Sequence, residues 1–261
     1  MKKALITGSN GTVGKALRHY LESQNVEVVG WNRQVTPIDD YHVMEGFVRE
    51  TAPDVLFHLA TASQSTGREN ESWLVNYEWT GELAWICRQL DVRFVFTSSV
   101  MVFTDDAPGP FTPESQADAT EGYGYEKYQA EQRSFYQNPD AVVARLGWQI
   151  GKADGSNNML NHLGKQAEEN GEIRASTKWY PACSFLEDTV AALYQLAQGN
   201  SGLYLIDSNE KWTFYEIVSA INAKEETDWS IVPTEDFVYD QRMLDERVQV
   251  ASLNKRLGTL K

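Results

Sequence analysis

The chain has 261 residues, 42% of them hydrophobic, with a net charge of −14. That composition supports one large α/β domain, or such a domain with a small cap, and excludes a disordered chain. So acidic a surface repels phosphate backbones and anionic bilayers, and no apolar run approaches the roughly 18 residues of a membrane span, so neither nucleic acid nor membrane is expected as a partner.

The opening MKKALITGSNG has an apolar run too short for a signal peptide and reads as a first strand, Lys3–Thr7. Thr12–Gln24 follows with Val13, Ala16, Leu17, Tyr20 and Leu21 on one helical face. Val26–Trp31 reads as a strand, Tyr41–Ala52 as a helix stopped by Pro53, Asp54–Ala60 as a strand and Glu71–Leu90 as a long helix. Val92–Ser99 is a strand, Thr104–Thr120 a loop rich in Pro, Gly and Asp, and Ala141–Gly147 another strand after the helix that carries EGYGYEKYQAE. Strand–helix alternation with nearly continuous apolar strands predicts a doubly wound, Rossmann-type parallel sheet with helices on both faces. Beyond Gly151 the pattern loosens. Asn158–Asn170, Glu187–Asn200 and Thr213–Ala223 read as helices and Gly202–Asp207 as a strand, while the last thirty or so residues are charged and weakly patterned. The expected division is a nucleotide-binding domain over residues 1–150 and 184–207 and a smaller substrate-binding cap over 151–183 and 208–261. Cys87 and Cys183 have no CxxC or metal spacing, which fits a reducing cytoplasm and no metal.

The stretch TGSNGTVG places Gly8, Gly11 and Gly14 between the first strand and the first helix, in GxxGxxG spacing. Gly8 allows the tight turn, Gly11 lets a pyrophosphate approach the backbone, and Gly14 lets helix and strand pack. Asn10, Thr12 and Val13 complete the loop, whose helix N-terminus offers free N–H groups to phosphate. At the end of the second strand, WNRQ carries Asn32 and Arg33 where a carboxylate would hold the 2′-hydroxyl of NAD. Arg33 can pair with a 2′-phosphate, which favours NADP(H), with NAD(H) as the alternative.

EGYGYEKYQAE holds three tyrosines and one lysine, Lys127. Residues four apart share a helix face, which selects Tyr123 over Tyr125 and Tyr128 as the partner of Lys127. A nearby ammonium is expected to lower the phenol's pKa, making Tyr123 usable as an acid or base.

Glycine spacing, a Ser98–Ser99 strand end and the Tyr123–Lys127 pair, in that order, resemble the extended branch of the short-chain dehydrogenase/reductase superfamily, the NAD-dependent epimerase/dehydratase-like proteins. Within it the stretches Ile38–Ala60, Tyr123–Gln132, Ala144–Gly151 and Phe185–Leu193 are similar to the dTDP-4-dehydrorhamnose reductase family. The resemblance implies a catalytic trio of Ser99, Tyr123 and Lys127, with Ser98 structural. It implies a lysine braced through water by Asn76, an adenine bordered by Asp39, and a cofactor lined by Leu59, Ala60, Thr61 and Ala62. Substrate would meet Ser99, Val100 and Trp148, the last of these being either a sugar platform or core. Asp188 is the acid of the returning helix. The implied reaction is hydride transfer from NADPH to a nucleotide-sugar carbonyl. Alternatives are an NAD-dependent dehydratase, disfavoured by Val100–Met101 after the serine, an NAD-dependent epimerase, disfavoured by Arg33, and a non-catalytic NADP-binding regulatory subunit. The resemblance also makes a homodimer plausible through the helices near 71–90 and 122–138, with Trp73, Trp79 and Trp85 facing either a partner or the sheet. Departures from the family, such as SQSTGREN after the third strand and Leu146–Gly147, leave the exact sugar open.

Overall fold

The computed structural model describes residues 1–62, 67–152 and 158–258. Its chain order begins β1 (Lys3–Thr7), α1 (Thr12–Ser23), β2 (Glu27–Gly30), α2 (Tyr41–Thr51) and β3 (Val55–His58). The helix expected over residues 71–90 is α3 (Glu71–Trp73) running through a π-helical turn (Leu74–Glu78) into α4 (Trp79–Gln89). Then come β4 (Arg93–Ser99), a 3₁₀ turn (Val100–Val102), α5 (Gly122–Gln137), β5 (Val142–Leu146), β6 (Trp148–Ile150) and α6 (Met159–Asn170). The chain continues with β7 (Ile173–Tyr180), β8 (Cys183–Phe185), α7 (Leu186–Ala197), β9 (Gly202–Ile206), α8 (Phe214–Glu225), β10 (Ile231–Asp240) and α9 (Leu253–Leu257).

Six strands form one parallel sheet in the order β2-β1-β3-β4-β5-β9. This is the expected Rossmann-type architecture. Strand alternation divides its core. Leu5, Leu56, Phe94, Phe96 and Val143 pack with α2, α4 and α5, whereas Ile6, Phe57, Val95, Val142 and Ala144 pack with α1 and α7. Trp79 is buried in the first of these layers, so it faces the sheet; Trp73 and Trp85 are half-buried. The chain moves to opposite sides of β1 when it forms β2 and then β3, and ligands of such sheets bind in the crevice where strand order reverses.

Two further strand pairs, β10 with β7 and β6 with β8, surround a third core of Ile150, Met159, Leu163, Trp212, Phe214 and Ile217. β10 lies where the sequence shows only a weakly patterned, charged tail. Only Tyr239 of its residues is buried, and its register with β7 shifts between Thr234 and Val238. Parallel strand pairing links the two, with Phe237 packed on Trp179 and exposed Arg174–Asp236 and Lys178–Glu235 contacts of 3.4 and 3.8 Å across the seam.

Two glycines give opposite expectations. A Cβ on Gly14 would lie 2.1 Å from the Gly8 carbonyl oxygen, while one on Gly46 in α2 meets nothing within 4 Å. Gly14→Ala should destabilise the protein by about 1–3 kcal/mol. Gly46→Ala should stabilise it by about 0.5–1 kcal/mol, because a glycine inside a helix sacrifices backbone entropy. Denaturant unfolding of the two variants reads both signs, and a tolerated Gly14→Ala would contradict the tight loop described here.

Candidate active site

The glycine loop closes on itself through Gly11 N–H donating to the Gly8 carbonyl at 2.9 Å. Gly8 has φ +65°, and a Cβ there would press on the backbone of Leu59 and Ala60 at 2.9 Å. The loop is therefore wedged at Gly8 against Leu59 and Ala60, the segment that follows β3 at the crevice. Asn10 and Gly11 are exposed, Thr12 and Gly14 are buried in the first turn of α1, and Val13 is half-buried. Gly11 is the N-cap of α1 and has no side chain with which to cap it, so the first N–H groups of the helix face outward as an anion site.

At the end of β2, Trp31 is buried and donates its indole N–H to the Thr36 carbonyl at 3.0 Å. Asn32 is exposed and accepts from Gln34 N–H. Arg33 has 45% of its side chain exposed, with a carboxylate oxygen of Glu71 3.7 Å away. Asp39 is exposed and paired with Arg68 at 2.9 Å, which holds its carboxyl below the usual range. Thr61 and Ala62 are half-buried after β3.

The placing of Tyr123 and Lys127, the expected catalytic pair, depends on a close approach at the start of α5. A Cβ on Gly124 would lie 1.9 Å from the Met101 carbonyl oxygen, so α5 can seat on the turn after β4 only with glycine there. This seats Tyr123 against the turn that begins at Ser99. The Ser99 hydroxyl oxygen accepts from Met101 N–H at 3.1 Å, leaving its own proton available, while Ser98 is buried without a hydrogen-bond partner. Val100 is 4% exposed and packs with Phe103, whereas Met101 is 54% exposed. The side chain presented to solvent at this turn is thus that of Met101, not Val100.

Lys127 is 1% exposed, and its Nζ has no hydrogen-bond partner. The ammonium lies 4.3 Å from the Phe96 ring centroid and 5.8 Å from that of Tyr123. Burial drives its pKa down to about 7, against the opposing pull of Glu131 and Glu126. Glu131 is engaged in a buried bidentate pair with Arg145, at 2.9 and 2.7 Å. Burial, and then Glu126, push the Tyr123 phenol above its ordinary value. This departs from the expectation that Lys127 lowers it: in the closed corner desolvation outweighs an ammonium that is itself only partly charged at neutral pH.

Asn76 lies in the π-helical turn, 1% exposed. Its Oδ1 accepts from Ala62 N–H at 3.1 Å, and its Nδ2 donates to Glu126 at 2.7 Å and to the Ser72 hydroxyl at 3.2 Å. It therefore bears on the residue beside Lys127. Glu126 also accepts from Ser72 at 2.6 Å. Neither Glu126 nor the π turn is marked by helical periodicity, since a one-residue widening leaves the apolar pattern readable as one long helix. Trp148 opens β6, half-buried beside His162, Trp179 and Phe214 at centroid distances of 5.2–6.3 Å. Asp188 lies apart from this corner, in a bidentate pair with Arg256.

The model of the RmlD substrate binding domain family matches residues 1–244. The chain belongs to that family. It is 26% identical over 202 residues to a dTDP-4-dehydrorhamnose reductase of Mycolicibacterium smegmatis, an alignment that covers 76% of this chain and 61% of that protein. It thus spans about three fifths of that relative's length. It is 22% identical over 240 residues, 84% of this chain and 71% of the relative, to methionine adenosyltransferase 2 subunit beta of Xenopus tropicalis. Among solved structures, a dTDP-4-dehydrorhamnose reductase of Bacillus anthracis in complex with NADP superposes with a TM-score of 0.83 at 20% identity, covering 98% of both chains.

In this RmlD-family chain the residues present fit a dinucleotide on two counts. The helix α1 presents uncapped N–H groups beside glycines that leave room for phosphate, and Lys127 holds a buried cation without a partner. No group of acids, histidines or cysteines suited to a metal occurs among the described residues.

Lys127 titrates at about 7 when folded against an ordinary value of 10.5. The unfolded chain therefore holds the extra proton between those values, and the penalty for burying the charge is complete below about pH 7. Lys127→Met should raise the thermal midpoint of the nucleotide-free protein most below about pH 7, and progressively less at higher pH. A midpoint at or below that of the wild type at mildly acidic pH would contradict this.

Proposed function

We propose that the protein is an NADP(H)-dependent oxidoreductase of the short-chain dehydrogenase/reductase type that reduces the carbonyl of a nucleotide-sugar related to dTDP-4-dehydrorhamnose. One observation carries the reading: Gly124 seats Tyr123 against the Ser99 turn, one helical turn before a buried, unpartnered Lys127. Residues 1–150 and 184–207 would hold the cofactor, and 151–183 and 208–261 the substrate.

Bound NADPH would supply the hydride. Ser99, whose oxygen already accepts from Met101 N–H, donates its own proton in a hydrogen bond to the carbonyl oxygen as charge develops there. Tyr123 gives that oxygen a proton as general acid. An ordinary phenol is already protonated at neutral pH, and burial reinforces that state. Lys127 donates to ribose hydroxyls and supports the phenolate that forms. The uncapped start of α1 receives the pyrophosphate. Arg33, half exposed at the end of β2 with only a 3.7 Å contact to Glu71, can turn to a 2′-phosphate. The NADP named with the Bacillus anthracis structure supports the same preference. Trp148 offers a half-buried ring face to the sugar.

A homodimer through the helices near 71–90 and 122–138 belongs to the same reading; Trp73 there is half-buried and stacks on Tyr77 and Tyr125 of its own chain at 4.2 and 6.4 Å. The two buried free cysteines suit a reducing cytoplasm. A second reading, a regulatory NADP(H)-binding subunit without turnover, draws on the likeness over 84% of the chain to a protein named as a subunit of another enzyme.

Loss of NADPH absorbance with a panel of nucleotide-sugar ketones separates the two readings; NADPH binding without any turnover would favour the second. Tyr123→Phe should lower turnover by roughly 10²–10⁴-fold with NADPH affinity retained. Tyr125→Phe and Tyr128→Phe should stay within about twofold, as changes away from the reacting atoms do. Activity surviving Tyr123→Phe would overturn the acid assignment. Arg33→Ala should narrow the preference for NADPH over NADH, and an unchanged ratio would remove Arg33 from cofactor choice.

A further inference from the structure

His58 ends β3 with no exposed surface, inside an otherwise apolar strand. A buried imidazole needs a partner on each nitrogen, and both are present. Nδ1 lies 2.8 Å from the Thr7 hydroxyl and Nε2 lies 2.9 Å from the Thr80 hydroxyl. The direction of every bond follows. Thr80 donates its only hydroxyl proton to the Asn76 backbone carbonyl at 2.9 Å. It must therefore accept from His58, so Nε2 carries the proton. Nδ1 then accepts the Thr7 proton, and the Thr7 oxygen is left to accept from Leu59 N–H and Ala60 N–H, at 3.1 and 3.2 Å.

The chain closes into a ring. Asn76 also holds Ala62 N–H through its side chain, so the segment Leu59–Ala62 is pinned at one end by Thr7 and at the other by Asn76. That segment is the wall against which Gly8 is wedged. From the same Asn76 a further bond reaches Glu126, adjacent in sequence to Lys127. Strand β1, strand β3, the π turn, α4 and α5 thus meet through one set of buried and part-buried hydrogen bonds centred on an imidazole.

We propose that His58, held as the Nε2–H tautomer, is a positioning residue that locks the cofactor-side segment Leu59–Ala62 to the Asn76 turn beside Lys127. It touches neither reacting atom. An imidazolium would take away the acceptor for Thr7, and both burial and the nearby Lys127 oppose that charge. The role of the locked segment in holding cofactor rests on the function proposed above; the lock itself does not.

Three measurements test the proposal. Nitrogen-15 NMR of the wild type at neutral pH should show His58 as the neutral Nε2–H tautomer; the Nδ1–H form or an imidazolium would overturn it. Thr80→Val deletes one hydroxyl on α4, outside the cofactor segment. It should speed amide exchange at Ala62 and Leu59 and weaken NADPH binding by about fivefold, the loss expected for one hydrogen bond. Thr80→Ser, which keeps the hydroxyl, should restore both. Thr7→Val combined with Thr80→Val should weaken binding no more than the stronger single change, as members of one chain do. A lowered thermal midpoint in Thr80→Val with exchange and affinity unchanged would make the cluster packing only and overturn the proposal. If Thr80→Val fails to fold, the wild-type tautomer and the Thr80→Ser values decide. If the wild type binds no NADPH, the proposed function fails instead, and the tautomer and amide exchange still decide for or against the lock.

Discussion

A buried ammonium without a hydrogen-bond partner costs on the order of several kcal/mol of solvation, and Lys127 carries that cost at the centre of this fold. Three things keep it in place. The Phe96 ring face offers a cation–π contact. Glu131, itself neutralised by Arg145, and Glu126 supply negative charge from the same helix. The sheet and α5 pack so closely that only 1% of the residue is exposed. The lysine is consequently poised near its titration point, a condition that suits a group meant to gain polar partners when a ligand arrives.

The surrounding architecture keeps that corner narrow. Gly124 lets α5 meet the Met101 carbonyl, and Gly8 and Gly14 let α1 and the loop meet the segment after β3. Both are backbone-to-backbone approaches in which a methyl group would overlap a carbonyl oxygen or main-chain atoms. The parallel sheet sets the spacing, because β1 and β3 end side by side, with Thr7 level with His58 and His58 level with Phe96, while β4 runs on to Ser99. At the ends of β1 and β3 the side chains of Thr7 and His58 are satisfied by each other and by Thr80 of α4, whereas Ser98 near the end of β4 is buried without a partner.

The alternation of strands and helices through Gly147 and the place of the glycine loop between β1 and α1 were legible in the sequence, because each follows from periodicity or a fixed offset. The strands β7 and β10 were not. Their pairing is set by contacts across the chain, and β10 shows water most of its side chains. The π turn at Leu74–Glu78 hides within an unbroken apolar pattern. Val100 and Met101 differ in burial because of a 3₁₀ turn that spacing does not encode. The effect of Lys127 on Tyr123 was read from charge alone, and burial reverses the balance. His58 did leave a signal, a lone titratable residue in an apolar strand, but its partners lie 51 and 22 residues away along the chain.

Titrating Lys127 itself, by NMR of its side-chain nitrogen, tests the central claim most directly. The account predicts a pKa of about 7 in the nucleotide-free protein, rising when NADP is bound because ribose hydroxyls then accept from the ammonium and favour its charged form. A lysine that titrates in the ordinary range and does not respond to NADP would contradict the account.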